Sequence, residues 1–205
     1  MFGDTPSRDH KDKWLYLMQH VGAPTRLLDW TEGALIGLYF AVEAVASGRS
    51  SSHENPGVWV LHPLELNRLS IGSEDFPDRD TAHFSARCDL ALGITPHVTV
   101  AEEHKYPVAI LPDHVHPRMK SQKGCFTLHG GDCLDFENLG CAIDLARDGF
   151  FLKYEVARSA ARAILDRLRW LGITHCTLFP DHDGLATELK RIFIKDEKSC
   201  AQNRE

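Results

Sequence analysis

One short segment of the chain, from Gln19 to Thr31, carries the side chains best suited to chemistry. It reads QHVGAPTRLLDWT and places amide, imidazole, hydroxyl, guanidinium and carboxylate groups between two apolar stretches. Gly22 and Pro24 within it predict a defined backbone turn in place of a loose surface loop. The candidate ligand-contacting residues of the segment are Gln19, His20, Thr25, Arg26, Asp29, Trp30 and Thr31.

Two interpretations of this segment stay open on residue types alone. Asp29 and Thr31 precede an apolar run that predicts a helix, and the start of a helix offers free N–H groups and a positive dipole end to an anionic ligand. In the structural alternative, Asp29 and Thr31 only cap that helix, and Arg26 forms a buried ion pair with Asp29 that holds the turn. That alternative predicts that the Arg26 and Asp29 charged groups lie within about 4 Å of each other.

Two further segments combine charged residues with glycine. PRMKSQKGCFTLHG at 117–130 sets cations around an amide, at Arg118, Lys120, Gln122 and Lys123. Such a loop suits a phosphate-bearing ligand, although a solvated charged turn is the commoner use of this pattern. LFPDHDGLATELK places Asp181, His182 and Asp183 ahead of a predicted helix, where we expect a capping role in preference to cation binding.

Composition excludes several classes of protein. The net charge of −6 over 205 residues carries no overall basic footprint for nucleic acid. The polar first residues do not resemble a signal peptide, and the apolar run from Ala34 to Val42 is too short to span a bilayer, so we expect a cytoplasmic protein without a membrane segment. Cys125, Cys133 and Cys141 are evenly spaced but unpaired, which favours buried thiols over a metal site.

The elements that must position these residues predict an α+β fold. We expect a single compact domain over 1–195 with a mixed or antiparallel sheet, flanking helices and a frayed tail at 196–205. The predicted helices are 9–21, 32–46 with Thr31 as N-cap, 63–69, one starting near 117, 157–171 and 184–194. Residues 72–105 predict a long irregular excursion with one helical turn near 84–92. The predicted strands are 25–30, 58–61, 107–111, 125–129, 150–156 and 174–179. The helix at 32–46 is apolar nearly all round, which predicts burial on all sides.

Taken together and in this order, three segments resemble the FRG domain family. The longest is LMQHVGAPTRLLDWTEGALIGLYFA at 17–41, and the supporting ones are PRMKSQKGCFTLHG at 117–130 and TLFPDHDGLATELK at 177–190. The resemblance extends over most of residues 13–192.

The same arrangement is similar, more distantly, to the second motif of ADP-ribosyltransferases, where a hydroxyl at a strand end precedes a packed helix. That likeness implies NAD as a substrate, an unknown macromolecular acceptor, and a toxin or phage-defence role. It implies catalytic positions at Thr31 and Gln122, with Thr31 organising a nicotinamide pocket and Tyr39 backing it. Gln122 stands in the region where active transferases hold a glutamate. Gln19, His20, Thr25, Arg26, Asp29 and Tyr39 are the implied NAD-binding residues.

One departure from the family pattern bears on activity. The Phe-Arg-Gly segment that gives the family its name is represented here only by Phe2-Gly3, so we expect the early strand and its arginine to be missing. The expected consequence is weak or absent NAD activity, unless Arg26 replaces that arginine. A non-catalytic ligand- or partner-binding domain is the second hypothesis. An enzyme site would require Gln19, His20, Arg26, Thr31 and Gln122 to line one cleft.

Overall fold

The computed structural model describes residues 5–94, 106–113, 116–130, 149–190 and 193, and these residues form both helices and strands. The helices are α1 (Lys11–His20), α2 (Ala34–Ala46), α3 (Pro63–Ile71), α4 (Ala82–Ala91), α5 (Pro117–Ser121), α6 (Ala161–Trp170) and α7 (His175–Leu178). The strands are β1 (Leu27–Thr31), β2 (Gly57–Leu61), β3 (Val108–Ile110), β4 (Gly124–Leu128) and β5 (Phe151–Glu155). Residues 182–190 are also helical. The α+β prediction is therefore confirmed.

Both sheets are small and antiparallel. The first has the order β1-β4-β3, with Val108, Ala109 and Ile110 of β3 opposite Leu128, Thr127 and Phe126 of β4. Backbone bonds from His129 N to Arg26 O and from Glu32 N to Lys123 O lie at the two ends of the β1–β4 pair, and their register runs antiparallel. The second sheet pairs β2 with β5.

The chain forms two units, each assembled from three segments: Met1–Trp30, Trp59–Asp113 and Cys125–Tyr154 in unit 1, and Thr31–Val58, His114–Gly124 and Glu155–Glu205 in unit 2. The prediction of a single domain over 1–195 stays a prediction, and the tail at 196–205 lies outside the described residues. Within the described ranges, no helix combines the length and the apolar character needed to cross a membrane.

The core of unit 1 forms around Leu66, Ala109 and Phe151. The Trp59 ring stacks on Phe151 with centroids 4.8 Å apart. Asn67 is fully buried in this unit, and its amide accepts from Ala109 N at 2.7 Å and donates to Ala109 O at 3.1 Å. A buried amide is tolerated because its polar atoms are bonded in this way, and here it fixes strand β3.

The core of unit 2 is the contact between α2 and α6. Ile36, Tyr39 and Val42 of α2 pack against Ala161, Leu165 and Leu168 of α6, and Leu178 completes the cluster. The spacing of the buried residues in each helix is the three- and four-residue repeat of one helical face. The prediction that α2 is buried on all sides is wrong, because Leu35 and Phe40 are 46 % and 44 % exposed.

Three other predictions need correction. Helix α2 starts at Ala34 with Gly33 as its N-cap, so Thr31 is the last residue of β1 and not the cap. The predicted strand 174–179 is instead the short helix α7 with its flanking residues, because the Thr174 hydroxyl accepts from Thr177 N and the Thr177 hydroxyl accepts from Thr174 N, as in a capping box. The stretch predicted to hold one helical turn near 84–92 contains the full helix α4, which the Thr81 hydroxyl caps by accepting from Phe84 N at 3.2 Å.

Candidate functional site

In unit 1, the polar residues after α1 are bonded to one another. The Gln19 amide nitrogen donates to the Asp29 carboxylate at 2.7 Å, and the Thr25 hydroxyl donates to the Gln19 amide oxygen. The Thr25 hydroxyl also accepts from Leu27 N at 3.2 Å, which fixes the chain as it enters β1. Gln19, Thr25 and Asp29 therefore form one network across the turn at Gly22.

The expected ion pair between Arg26 and Asp29 is not present among the described residues. Arg26 instead donates to the carbonyl oxygen of Gly130, while Asp29 is exposed and accepts from Gln19. The two residues stand three positions apart on an extended segment, and successive side chains of a strand point to opposite faces. The pairing fails for that reason.

Three further residues of unit 1 have defined environments. Burial lowers the pKa of His129, and the nearby Arg26 charge lowers it further. Trp30 packs in the unit 1 core, and its indole N–H donates to the Thr127 hydroxyl at 3.1 Å. His20 is the last residue of α1 and is half-buried.

In unit 2, the two residues with implied catalytic positions are in direct contact although 91 positions separate them. The Thr31 hydroxyl donates to the carbonyl oxygen of Gln122 at 2.7 Å and accepts from Gly33 N at 3.1 Å. Both side chains are half-buried. Thr31 thus joins the end of β1, the start of α2 and the turn after α5.

The turn after α5 has an unusual backbone. Lys123 has φ 48°, and among the described residues other than glycine it is the one with positive φ. Its carbonyl accepts from Glu32 N at 3.1 Å, directly beside the bond from Thr31. A side chain in the left-handed region costs about 1 kcal/mol relative to glycine. The bonds from Thr31 and Glu32 help to hold the turn in that conformation.

Helix α7 also contacts the turn after α5. The carbonyl oxygen of Leu178 accepts from the Ser121 hydroxyl at 2.9 Å and from the Gln122 amide nitrogen at 3.1 Å. These bonds satisfy a carbonyl at the end of a helix, where the helix itself has no donor left. They also fix the orientation of the Gln122 amide, whose oxygen has no partner within the described residues.

The residues after α7 bind α5 through charge. Arg118 forms an ion pair with Asp181, and its guanidinium carbon lies 5.3 Å from the centroid of the Phe179 ring. Asp181 also accepts from Gly184 N at 2.9 Å, which confirms its predicted capping role. The Arg118 hydrogen bond, followed by the one from Gly184, lowers the pKa of Asp181 to about 2.

Tyr39 lies in the core of unit 2. It is only 3 % exposed, and its implied role behind a nicotinamide pocket stays a prediction. Its hydroxyl lies 3.3 Å from Nδ1 of His175, and His175 stacks on Phe179 with centroids 4.4 Å apart. Burial, then the Glu43 charge, raises the pKa of Tyr39 to about 12.

The structure therefore groups Thr31, Gln122 and Leu178 in unit 2, and Gln19, Thr25 and Asp29 in unit 1. That all the predicted residues line one cleft stays a prediction. Sequence reasoning missed His175, Leu178 and Phe179 as neighbours of Gln122 and Tyr39. The signal was present in the segment TLFPDHDG, which begins inside α7.

One protein-family model matches the N-terminal part of the chain. The FRG domain matches residues 3–50, which include the whole of the longest motif at 17–41. The segments 117–130 and 177–190 lie outside the matched residues. No curated protein and no solved structure matches the chain.

Proposed function

We propose that this chain, with its FRG domain match at residues 3–50, uses NAD as a substrate and transfers the ADP-ribose group to a macromolecule. In this reaction the bond between ribose C1′ and the nicotinamide nitrogen breaks, and nicotinamide leaves with the electron pair. A nucleophile of the acceptor forms the new bond to C1′ and loses a proton. A cytoplasmic toxin or phage-defence role is part of the same proposal.

One observation carries this proposal. The ends of β1, α5 and α7 are far apart in the sequence, and they meet at Gln122 within unit 2. The bond to Leu178 O occupies the amide nitrogen and leaves the amide oxygen to accept from a ribose hydroxyl. An acceptor placed there stabilises the positive charge that develops on the ribose in the transition state.

Within this proposal Thr31 is a positioning residue. Its hydroxyl donates to Gln122 O and accepts from Gly33 N, and these bonds hold the turn that carries Gln122. Gln122 is the residue that contacts the substrate.

The same hydrogen bonds favour a second candidate function, a non-catalytic binding domain. The Thr31 hydroxyl is satisfied within the protein, and Tyr39 is in the core. By the resemblance to ADP-ribosyltransferases, Gln122 provides an amide in the region where active members hold a carboxylate. Under this candidate Gln122 only completes the end of α7. The chain would then bind a ligand or partner without breaking a bond.

Release of nicotinamide from NAD by the purified protein separates the two candidates. We expect slow release by the wild type, none by Gln122→Ala, and faster release by Gln122→Glu, because a carboxylate stabilises the oxocarbenium-like transition state better than an amide. The control is Lys120→Gln, an exposed change in α5. Absence of nicotinamide release from both the wild type and Gln122→Glu, with both proteins folded by circular dichroism, would reject the enzyme.

A further inference from the structure

The register of the sheet formed by β2 and β5 follows from backbone bonds at its two ends. His62 N donates to Phe150 O at 2.7 Å, and Val156 N donates to Pro56 O at 2.8 Å. The strands are therefore antiparallel, and every second residue of β5 directs its N–H and C=O groups toward β2. The residues between them direct theirs toward the edge away from β2, where a further strand would pair.

The face of this sheet that points away from the unit 1 core is apolar and exposed. Val60, Leu152 and Tyr154 lie on this face and are 47 %, 40 % and 58 % exposed. Trp59 and Phe151 occupy the other face and stack in the core. A sheet with one solvated face normally carries polar residues there. The apolar outer face therefore indicates a surface that a partner covers.

The sheet also ends at β5. It contains β2 and β5 and no third strand among the described residues, and the side chains from Leu152 to Glu155 are all exposed. A two-stranded sheet is marginally stable by itself, and an exposed edge strand is a template for pairing with another chain. A strand that pairs with β5 would extend both the hydrogen-bond ladder and the apolar outer face.

We propose that β5 of a second copy of this chain pairs with this edge in antiparallel orientation, across a two-fold axis at Tyr154. In that register Lys153 of one copy lies opposite Glu155 of the other, twice by symmetry, and the two Tyr154 side chains meet on the outer face. A shift of two residues in either direction would oppose two lysines or two glutamates, and a shift of one residue would bring together backbone groups that cannot bond. The inference is independent of the proposed function.

The two charges are placed for this contact. Lys153 and Glu155 are two positions apart on one strand and so share a face. The Lys153 ammonium lies 4.9 Å from the centroid of the Trp59 ring, and an ammonium group donates up to three hydrogen bonds, so it can bind a carboxylate while it contacts the ring. Glu155 is exposed and forms no ion pair within the described parts of the chain.

The test uses charge variants of β5 in the full-length chain. Lys153→Glu leaves two carboxylates at the paired positions, and Glu155→Lys leaves two ammonium groups. Neither variant should pair with itself, whereas an equimolar mixture of the two should form a heterodimer, because opposite charges then face each other at both positions. The double variant Lys153→Glu/Glu155→Lys should associate like the wild type. Lys120→Gln in α5 is the control for the loss of an exposed lysine.

Self-association is measured by sedimentation velocity from about 1 to 300 μM, because one strand edge makes a small interface that binds weakly. We expect a monomer–dimer equilibrium for the wild type, dimerisation at least about tenfold weaker in each single variant, and recovery in the mixture and the double variant. Melting curves by circular dichroism establish that each variant is folded.

Two kinds of result would overturn the proposal. A wild type that stays monomeric over this range would leave the edge of β5 to a strand of another protein. Equal dimerisation of all variants, or no heterodimer in the mixture of folded single variants, would show that copies of the chain do not pair through β5 in this register.

Discussion

Replacing Asp181 by alanine should remove two interactions that fix the segment after α7. Its carboxylate pairs with Arg118 and accepts from Gly184 N at 2.9 Å. Lowering the pKa from 3.8 to about 2 corresponds to at most about 2 kcal/mol of folding stability. Because the Asp181 side chain is 32 % exposed, solvent screening reduces this contribution to about 1 kcal/mol. Typical values for the loss of a helix cap and of an exposed ion pair give a separate figure of about 1–2 kcal/mol for the destabilisation.

The pH dependence gives this prediction its sign. Because folding depresses the pKa of Asp181, the stabilisation is fully present above the ordinary value of 3.8 and is lost as pH falls toward about 2. Urea unfolding at pH 6 should therefore show wild type more stable than Asp181→Ala by about 1 kcal/mol, and the difference should shrink toward the cap term at pH 2.5. Asp183→Ala, an exposed change two positions away, is the control. Equal losses from both variants, or a pH-independent difference, would refute the assigned interactions.

The remaining predictions concern packing and hydrogen bonds in unit 2. Gly184→Ala should prevent the native arrangement after α7, because the added Cβ would lie 1.9 Å from the Phe179 carbonyl oxygen; a melting temperature equal to wild type would contradict this. Thr31→Val should lower the free energy of unfolding by about 1–3 kcal/mol, whereas Thr31→Ser should keep both hydrogen bonds and most of the stability. Leu165→Ala should cost about 2–5 kcal/mol because the residue is only 2 % exposed in the core.

Periodicity was sufficient to predict most elements but not their contacts. The sequence predicted a helix at 157–171, and the structure buries Ala161, Leu165 and Leu168 of α6, whose three- and four-residue spacing places them on one helical face. The segment 174–179 is rich in residues that suit a strand. It is helical because the side-chain hydrogen bonds of Thr174 and Thr177 stabilise the first turn of α7. Such bonds compete with strand formation locally and do not alter the hydrophobic pattern.

Some contacts of the candidate site could likewise be predicted from the sequence, and others could not. Only the family resemblance related Thr31 to Gln122, by requiring an enzyme site to place both in one cleft, since no local pattern relates residues 91 positions apart. The Arg26–Asp29 pair could have been rejected from the sequence, because an offset of three on a strand places side chains on opposite faces. The burial of Tyr39 could not, because it depends on which face of the apolar helix α2 meets α6.

The hydrogen bonds around Gln122 make the start of α2 and the proposed substrate contact one structural feature. Helix α2 has no side-chain cap, and the Gly33 and Glu32 N–H groups that precede it are satisfied by Thr31 Oγ and Lys123 O. Thr31 and Glu32 also hold the turn at Lys123, which orients Gln122. Relaxation of the turn would break the bonds from Thr31 Oγ to Gln122 O and from Glu32 N to Lys123 O together, so a change at either end acts on both. The stability of α2 and the position of the Gln122 amide are thus coupled through the turn at Lys123.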